Sequence, residues 1–202
     1  MTNTVTITVN ADMLRAALIC ASTEQARYYI NGVYVDPKGY LVSTDGHRLF
    51  CGKIDLDAQG PDRDQPVAPD SFEGWIIPSD AIKRALAGYK QQTIDIAPDR
   101  LGDLACKSVD GSFPDWRRVV PQTLSGEIAQ FNPAYIADMG KIGLLLTGKR
   151  KSDAGLTAHL HHNGDGPAGV TFPYCATAYA VLMPIRTQHT DAERAWSDAI
   201  AI

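Results

Sequence analysis

Residues 27–51, RYYINGVYVDPKGYLVSTDGHRLFC, decide the fold of this chain. Residues 28–30 lead into alternating apolar positions, and two turn motifs divide the stretch into three predicted strands. The first turn, 36–39, has proline at its second position and glycine at its fourth, which suits a type I turn. The second, Asp45-Gly46, is a strong signal for a two-residue hairpin connection. We therefore predict a three-stranded meander with residues 44–49 at the tip of its last hairpin.

The composition is that of a globular protein with one large or two small domains. The chain has 202 residues, of which 45% are hydrophobic and 21% charged, and its net charge is −4. No apolar run approaches the roughly 20 residues that span a bilayer, and the N-terminus lacks the regions of a signal peptide. The four cysteines are widely spaced and show no CxxC pairing. We expect a cytoplasmic protein with reduced thiols and no membrane partner.

The order of strand, helix and three strands recurs along the chain, with modules starting near residues 4, 74 and 126. In the first module a predicted strand ends at Asn10, which caps the helix that follows. Ser79 is the predicted helix cap of the second module. In the third, a strand at 127–131 precedes Asn132 as the cap and Pro133 at the first helical position. The pattern predicts an α+β fold of repeated strand–helix–three-strand modules; the alternative is an ordinary α+β domain whose elements follow this order by chance.

The other segments complete these modules. Further strands are predicted at 93–96, 101–109, 156–162, 170–174 and 176–185. Residues 55–73 are rich in aspartate and proline and are predicted to form an exposed acidic connection. Residues 187–202 form a polar tail, with a short helix predicted at 192–199.

Four separated segments resemble, in the same order, the bacterial sliding clamp, the β subunit of DNA polymerase III. RYYINGVYV and STDGHRLF (27–35 and 43–50) resemble its middle domain, and DGSFPDWRRVVP (110–121) resembles the end of that domain. FNPAYIADM (131–139) resembles the start of the second half of the last domain, and AYAVLMPIR (178–186) resembles the C-terminus. The resemblance implies the DNA clamp fold over roughly residues 4–186.

The resemblance also implies a domain organisation. Residues 1–121 correspond to the middle clamp domain with two modules, and residues 122–186 correspond to half of the last domain with one module. Residues 187–202 are a tail without a counterpart. The first domain and the first half of the last domain have no equivalent in this sequence. The chain therefore resembles a shortened clamp, of the kind that a bacteriophage or prophage encodes.

In the family, a surface pocket between the middle and last domains captures short peptides of polymerases and other DNA-handling proteins. Apolar side chains suit such a pocket, glycine lets a peptide backbone approach closely, and arginine and histidine offer hydrogen-bond donors at the rim. The alternative is a plain turn at Asp45-Gly46 and an ordinary core strand at 181–185. Carried over position by position, the pocket is lined by Ile30, Thr44, Gly46, His47, Arg48, Leu49, Pro114, Arg118, Val119, Val181, Leu182, Met183, Pro184, Ile185 and Arg186.

In the family, helices line a central hole and face the DNA backbone without reading its sequence. The acidic residues of this chain concentrate in the connection 55–73, so a basic helical face remains available for phosphate contact. The alternative is that these basic faces are merely solvated and that the tyrosines pack inside. The candidates for contact with duplex DNA are Arg15, Arg27, Tyr28, Tyr29, Lys83, Arg84, Lys90, Lys107, Lys141, Lys149, Arg150 and Lys151.

The resemblance implies a processivity factor without enzymatic activity. A closed ring around duplex DNA holds a DNA polymerase and other clamp-motif proteins at the template, and a clamp loader is an expected partner. Because rings of this superfamily contain twelve modules, three modules per chain imply a homotetrameric ring. Neighbouring modules meet through two alternating kinds of contact, however, and an odd number per chain disturbs that alternation. The alternative function is a peptide-binding adaptor or decoy that binds replication proteins without encircling DNA.

The sequence predicts no catalytic residue, metal or cofactor. His159, His161 and His162 are the candidates for a metal site, but no cysteine or carboxylate stands at a supporting spacing. The motifs of hydrolases, phosphate-binding loops, dinucleotide folds and zinc peptidases are absent from the sequence.

Overall fold

The computed structural model describes residues 5–56, 72–150, 152 and 157–186. Most of the acidic connection, Lys151 and the predicted helix at 192–199 lie outside these residues. The described part has the predicted α+β architecture, with helices on one face of a large sheet. None of its helices has the combination of length and hydropathy that a bilayer-crossing segment requires.

The first two modules have the predicted order of strand, helix and three strands, and the third has a helix followed by three strands. Two 3-10 helices, Gln25–Ile30 and Trp116–Val119, accompany the regular elements. In chain order the elements are β1 Ile7–Asn10, α1 Ala11–Cys20, β2 Gly32–Asp36, β3 Tyr40–Thr44, β4 Arg48–Lys53, β5 Trp75–Pro78, α2 Ser79–Leu86, β6 Thr93–Ala97, β7 Arg100–Leu101, β8 Leu104–Ala105, α3 Pro133–Thr147, β9 His159–His161, β10 Ala168–Thr171 and β11 Ala178–Leu182.

The first two modules exchange their first strands. β1 pairs antiparallel with β6 of the second module, in a sheet of order β1-β6-β7-β8. Reciprocally, β5 pairs antiparallel with β2 of the first module, in a sheet of order β5-β2-β3-β4-β11-β10-β9. In the same sheet, antiparallel pairing of β4 with β11 joins the first module to the third. This junction places the hairpin tip of the first module beside the end of the last strand.

The three helices pack together, and α1 lies between α2 and α3. Between α1 and the large sheet lies a core that includes the fully shielded Leu14, Leu41 and Phe50. The predicted cap residues begin two of the helices: the side chain of Asn10 accepts hydrogen bonds from the first turn of α1, and that of Asn132 accepts one from the first turn of α3. The three-strand meander and both caps are therefore confirmed.

Several local predictions are wrong. Residues 28–30 belong to a 3-10 helix, because short-range bonds such as Asn31 N–H to the Tyr28 carbonyl replace strand pairing. The hairpin connection has three residues, 45–47, rather than two. The Asp45 carboxylate accepts hydrogen bonds from the N–H groups of His47 and Arg48, so β4 begins only at Arg48. Ser79 is the first residue of α2 rather than its cap, and its buried hydroxyl makes no hydrogen bond within the described residues.

Five predicted strands differ from the observed elements. The stretch 101–109 contains only the ends of a small hairpin, β7 and β8, because Gly102 turns the chain with a φ of 56°. The strands of the third module are shorter than predicted and correspond to β9, β10 and β11. The segment 127–131 is extended chain that is not a strand of either described sheet; the Gln130 carbonyl accepts a hydrogen bond from the Ile185 N–H at 2.8 Å.

Candidate peptide-binding cavity

An apolar cavity opens on the outer face of the large sheet, where the three modules meet. Its volume is about 190 Å³. The hairpin tip of the first module forms one wall, the 3-10 helix at the end of the second module forms another, and the end of β11 completes it. The cavity is lined by Arg27, Tyr29, Ile30, Thr44, Gly46, His47, Arg48, Leu49, Pro114, Asp115, Trp116, Val119, Val181 and Met183.

Strand alternation builds the floor of the cavity. Leu49 of β4 lies directly opposite Val181 of β11, and both side chains are buried in a small apolar cluster with Trp116. The next residue along β11, Leu182, points to the other face of the sheet and packs in the main core. The prediction that Leu182 lines the pocket is therefore wrong, because its side chain packs in the main core on the other face of the sheet.

A buried carboxylate holds the wall formed by the second module. Asp36, which is 3% exposed, accepts a hydrogen bond from Trp116 Nε1 at 3.0 Å and two from the Arg117 guanidinium at 2.8 and 3.0 Å. Burial alone would raise the pKa of the Asp36 carboxyl, but these hydrogen bonds and one from the Lys38 backbone N–H outweigh it and lower the pKa. Asp36 thus fixes the 3-10 helix against the meander.

The hairpin tip forms its own hydrogen bonds, and the side chain of Arg27 lies beside it. Gly46 has a φ of 92°, a conformation that side chains disfavour. A Cβ atom at this position would lie 2.7 Å from Nη1 of Arg27, whose guanidinium also binds the Glu24 carboxylate at 2.7 and 2.8 Å. Arg27 was predicted to contact DNA, but the structure places its side chain against the tip at the edge of the cavity.

Arg48 joins the hairpin to the third module. Its guanidinium forms ion pairs with Asp45 at the tip and with Asp138 of α3, and it lies 4.6 Å from the centre of the Tyr135 ring. Burial alone would raise the pKa of the Asp138 carboxyl, but hydrogen bonds from Lys141 and Arg48 lower it. Although Arg48 lines the cavity, its guanidinium is occupied by Asp45 and Asp138 and holds the hairpin wall of the cavity in place.

Ten of the fifteen residues predicted for the pocket surround this cavity. Of the remainder, Leu182 faces the core, and the Arg118 side chain is 83% exposed beside Asp115. Pro184, Ile185 and Arg186 follow β11 and do not line the cavity. The ten that do are Ile30, Thr44, Gly46, His47, Arg48, Leu49, Pro114, Val119, Val181 and Met183.

Sequence reasoning missed four residues of the lining. Asp115 and Trp116 lie in the segment FPDWRRV (113–119), whose Pro114, Arg118 and Val119 were assigned to the pocket. The 3-10 helix Trp116–Val119, which sequence reasoning did not predict, is what brings them to the cavity. Arg27 and Tyr29 were assigned to DNA instead. Their place follows from the 3-10 helix before β2, which turns them toward the hairpin tip.

The DNA candidates occupy several surroundings. Lys83, Arg84 and Lys90 are exposed on or just after α2, whereas Lys107 is exposed on the loop after β8. Lys141 is exposed on α3 and binds Asp138 at 2.6 Å. In contrast, Arg15 is partly buried and holds the Asp12 carboxylate and the Tyr89 carbonyl, which leaves it less free to reach phosphate.

The other candidates lie on the 3-10 helix Gln25–Ile30 or on the loop after α3, not on the three α-helices. Tyr28 is 54% exposed and contacts Tyr29 edge to face at 5.8 Å. Lys149 lies 3.6 Å from the centre of the Tyr174 ring, and Arg150 is exposed beside it.

The histidines of the third module have local partners. His161 Nε2 lies 2.8 Å from the Thr171 hydroxyl, and His162 Nδ1 accepts a hydrogen bond from the Ala129 N–H. Within the described residues, no three His, Cys, Asp or Glu side chains converge as metal ligands would. All four cysteines, which lie in described segments, are free thiols.

Comparison of the sequence with known proteins finds relatives among bacterial sliding clamps. The beta sliding clamp of Caulobacter vibrioides is 28% identical over 148 residues, which cover 65% of this chain and 37% of the relative. That of Treponema pallidum is 30% identical over 122 residues, covering 54% of this chain and 30% of the relative. The chain thus spans little more than a third of the length of the curated relatives it matches. No family model matches the chain.

Solved structures show the same fold. The DNA polymerase sliding clamp of Bacillus subtilis has a TM-score of 0.63 at 15% identity, covering 93% of this chain and 66% of that protein. The sliding clamp of Bartonella birtlesii bound to griselimycin has a TM-score of 0.57 at 21% identity, covering 90% of this chain and 66% of that protein. The fold is that of the bacterial DNA sliding clamps, and the relatives found by sequence are beta sliding clamps.

Proposed function

We propose that this chain is a sliding clamp that binds peptide motifs of replication proteins in the cavity between its modules. One observation carries the proposal: side chains from three distant parts of the sequence converge on one apolar cavity with an open side. A core strand and a tight turn alone would leave no such space. A cavity of this size accepts one or two apolar side chains of an extended peptide.

The chemistry of the lining suits such a peptide. Leu49 and Val181 form a buried apolar floor, and Val119 and Met183 form partly exposed sides. Methionine adapts its shape to different side chains, which favours a site that binds several partners. His47 at the rim offers a polar contact for the peptide backbone.

The clamp activity itself completes the proposal. In this account the chain forms a homotetrameric ring, and its helical layer faces the phosphates of duplex DNA without reading the sequence. The exposed Lys83, Lys90 and Arg150 support that orientation. The ring holds a polymerase at the template, catalyses no reaction, and is placed on DNA by a clamp loader. The polymerase binds through the cavity.

Titration of a clamp-binding peptide from a replicative polymerase tests the cavity. Met183→Ala removes an apolar side of the cavity and is expected to weaken binding by about 1–2 kcal/mol, or roughly tenfold. Ile185→Ala is the matched control: Ile185 is 43% exposed, lies two residues further along and does not line the cavity. Equal affinities of the wild type and both variants, or no binding to any of them, would contradict the proposal.

A further inference from the structure

A second apolar cavity lies on the helical face of the large sheet, away from the peptide cavity. It has a volume of about 370 Å³ and opens between α3 and the strands of the third module. Ile136 at its mouth is 46% exposed, whereas Met139 and Leu182, which also line it, are buried. An apolar cavity of this size suits a bulky apolar side chain or a small ligand. This α3 cavity is lined by Ile136, Ala137, Met139, Gly140, Ala158, Leu160, Val170 and Leu182.

Large exposed apolar side chains collect at the same end of the third module. Ile128 is 87% exposed and Ile185 is 43% exposed. The backbone brings their segments together, because the Ile185 N–H donates to the Gln130 carbonyl at 2.8 Å. Ile136 follows Gln130 by six residues, in the first turns of α3. Single exposed apolar side chains are ordinary, but several of them beside an apolar cavity indicate an interaction surface.

The segment that follows Arg186 starts within reach of this surface. β11 ends at Leu182, which lines the α3 cavity. Arg186 stands four residues after Leu182, so its Cα lies at most about 14 Å away. Residues 187–191 span up to about 17 Å when extended, which is enough to return the chain to the cavity from any such position.

The sequence of that segment has the pattern of a helix with one apolar side. Thr190 and Glu193 stand at the spacing of a capping box. From residue 192 onward, apolar residues recur at intervals of three and four, while residues 193, 194, 197 and 198 are polar. On a helix the apolar residues occupy an arc of about 160°, with Ala201 as the exception. The arc contains Ala192, Ala195, Trp196, Ala199, Ile200 and Ile202.

We propose that residues 190–202 dock as a helix across the mouth of the α3 cavity of the same chain. The indole of Trp196 enters the cavity between α3 and β9, and the rest of the apolar arc covers Ile128 and Ile136. The chain's own segment is the occupant that fits, because the short link 187–191 gives it a high effective concentration at the cavity. Its polar side stays in water. This docking does not rest on the proposed function, since the peptide cavity lies on the other face of the sheet.

Acrylamide quenching of Trp196 fluorescence in the full chain tests the docking. The other two tryptophans, Trp75 and Trp116, are buried, so the difference between wild type and Trp196→Phe isolates the signal of Trp196. Its Stern–Volmer constant is expected to lie roughly threefold or more below that of free tryptophanamide, because a pocket buries about 70–90% of its occupant's surface.

Two substitutions, each made with and without Trp196→Phe, show where the indole binds. Ile136→Lys at the mouth of the cavity is expected to raise the quenching constant of Trp196 toward that of free tryptophanamide. Leu124→Lys is the matched control and is expected to leave the constant unchanged. Leu124 is also 46% exposed and belongs to the third module, but it lies beside Gly169 and does not line the α3 cavity.

Dilution of the protein distinguishes the occupants. Protection of Trp196 that is independent of protein concentration is the expected result for docking within one chain. Protection that is lost on dilution would assign the occupant to a second copy and overturn the inference. Quenching equal to that of free tryptophanamide, or protection that Ile136→Lys leaves intact, would overturn it as well. Ile136 does not line the peptide cavity, so a protected Trp196 in a chain that binds no peptide would contradict the proposed function alone.

Discussion

Asp36→Asn is the substitution that most clearly links the buried hydrogen-bond network to peptide binding. The carboxylate accepts three side-chain hydrogen bonds, one from Trp116 and two from Arg117. An amide of the same shape accepts with one oxygen only and carries no charge. Bonds to a charged group contribute about 1.5–3 kcal/mol each and neutral bonds about 1 kcal/mol each, so replacing three charged bonds by two neutral ones is a gross loss of about 2.5–7 kcal/mol. Because the Arg117 side chain is 42% exposed and remains solvated, we expect a net loss of about 2 kcal/mol.

Urea denaturation measures this loss, and the peptide titration measures its functional consequence. The midpoint of unfolding is expected to fall by about 1 M urea for an m-value of about 2 kcal/mol/M. Peptide affinity is expected to fall roughly threefold or more, because Pro114 and Val119 flank the released Trp116 in the cavity wall. Asp115→Asn is the matched control for the stability measurement: its side chain is 61% exposed, and its ion pair with Arg118 at 3.3 Å is expected to contribute less than about 0.5 kcal/mol.

The pH dependence has a defined sign. Because the folded state lowers the pKa of Asp36, its contribution is fully present above the ordinary aspartate value of about 3.9 and is lost as the pH falls through the lower, folded pKa. The difference in stability between wild type and Asp36→Asn is thus expected to persist at neutral pH and to shrink only below about pH 4. Equal stability of the two proteins at pH 7 would refute the reasoning.

Three further predictions concern the hairpin tip, the module junction and the helical layer. Gly46→Ala is expected to cost about 1–2 kcal/mol in urea denaturation and to weaken peptide binding, because the new Cβ meets a φ of 92° and the Arg27 side chain; unchanged values would refute this. Arg48→Met removes the counter-charge of Asp45 and leaves Asp138 paired with Lys141 alone, so it is expected to lower the free energy of unfolding by about 2–3 kcal/mol; a variant as stable as the wild type would disprove this role. Lys83→Glu combined with Lys90→Glu is expected to weaken DNA binding and to reduce the slope of log affinity against log salt concentration by about 2, as measured by fluorescence anisotropy. An unaltered slope would show that these lysines do not contact DNA.

The local parts of the fold were predictable from the sequence. The Asp-Pro-Lys-Gly turn, the glycine after Asp45 and the asparagine caps each act within a few residues of themselves, so their effect is visible in a short window. The strand alternation of β11 was visible too, and it already implied that Val181 and Leu182 face opposite sides. The error over Leu182 came from carrying over a continuous segment without applying that alternation.

The rest depends on contacts between distant segments. Asp36 and Trp116 are eighty positions apart, and nothing local to the turn indicates that its aspartate is the buried acceptor for a tryptophan. Similarly, the sequence around Arg27 indicates only an exposed basic residue, whereas in the structure the 3-10 helix places its side chain beside Gly46. The segment 127–131 has the alternation of a strand, but its backbone contacts are single hydrogen bonds to separate segments, such as Ile185 N–H to the Gln130 carbonyl, and these do not make it a strand of either described sheet.

The most direct test of the central claim compares two neighbouring valines by calorimetric titration of the clamp-binding peptide. Val119 and Val120 are both partly buried against the same apolar cluster, but only Val119 lines the cavity. Val119→Ala is expected to lose about 1–1.5 kcal/mol of binding free energy, or roughly tenfold in affinity, whereas Val120→Ala is expected to bind as the wild type does. Equal binding by the two variants would contradict the assignment of this cavity as the peptide site.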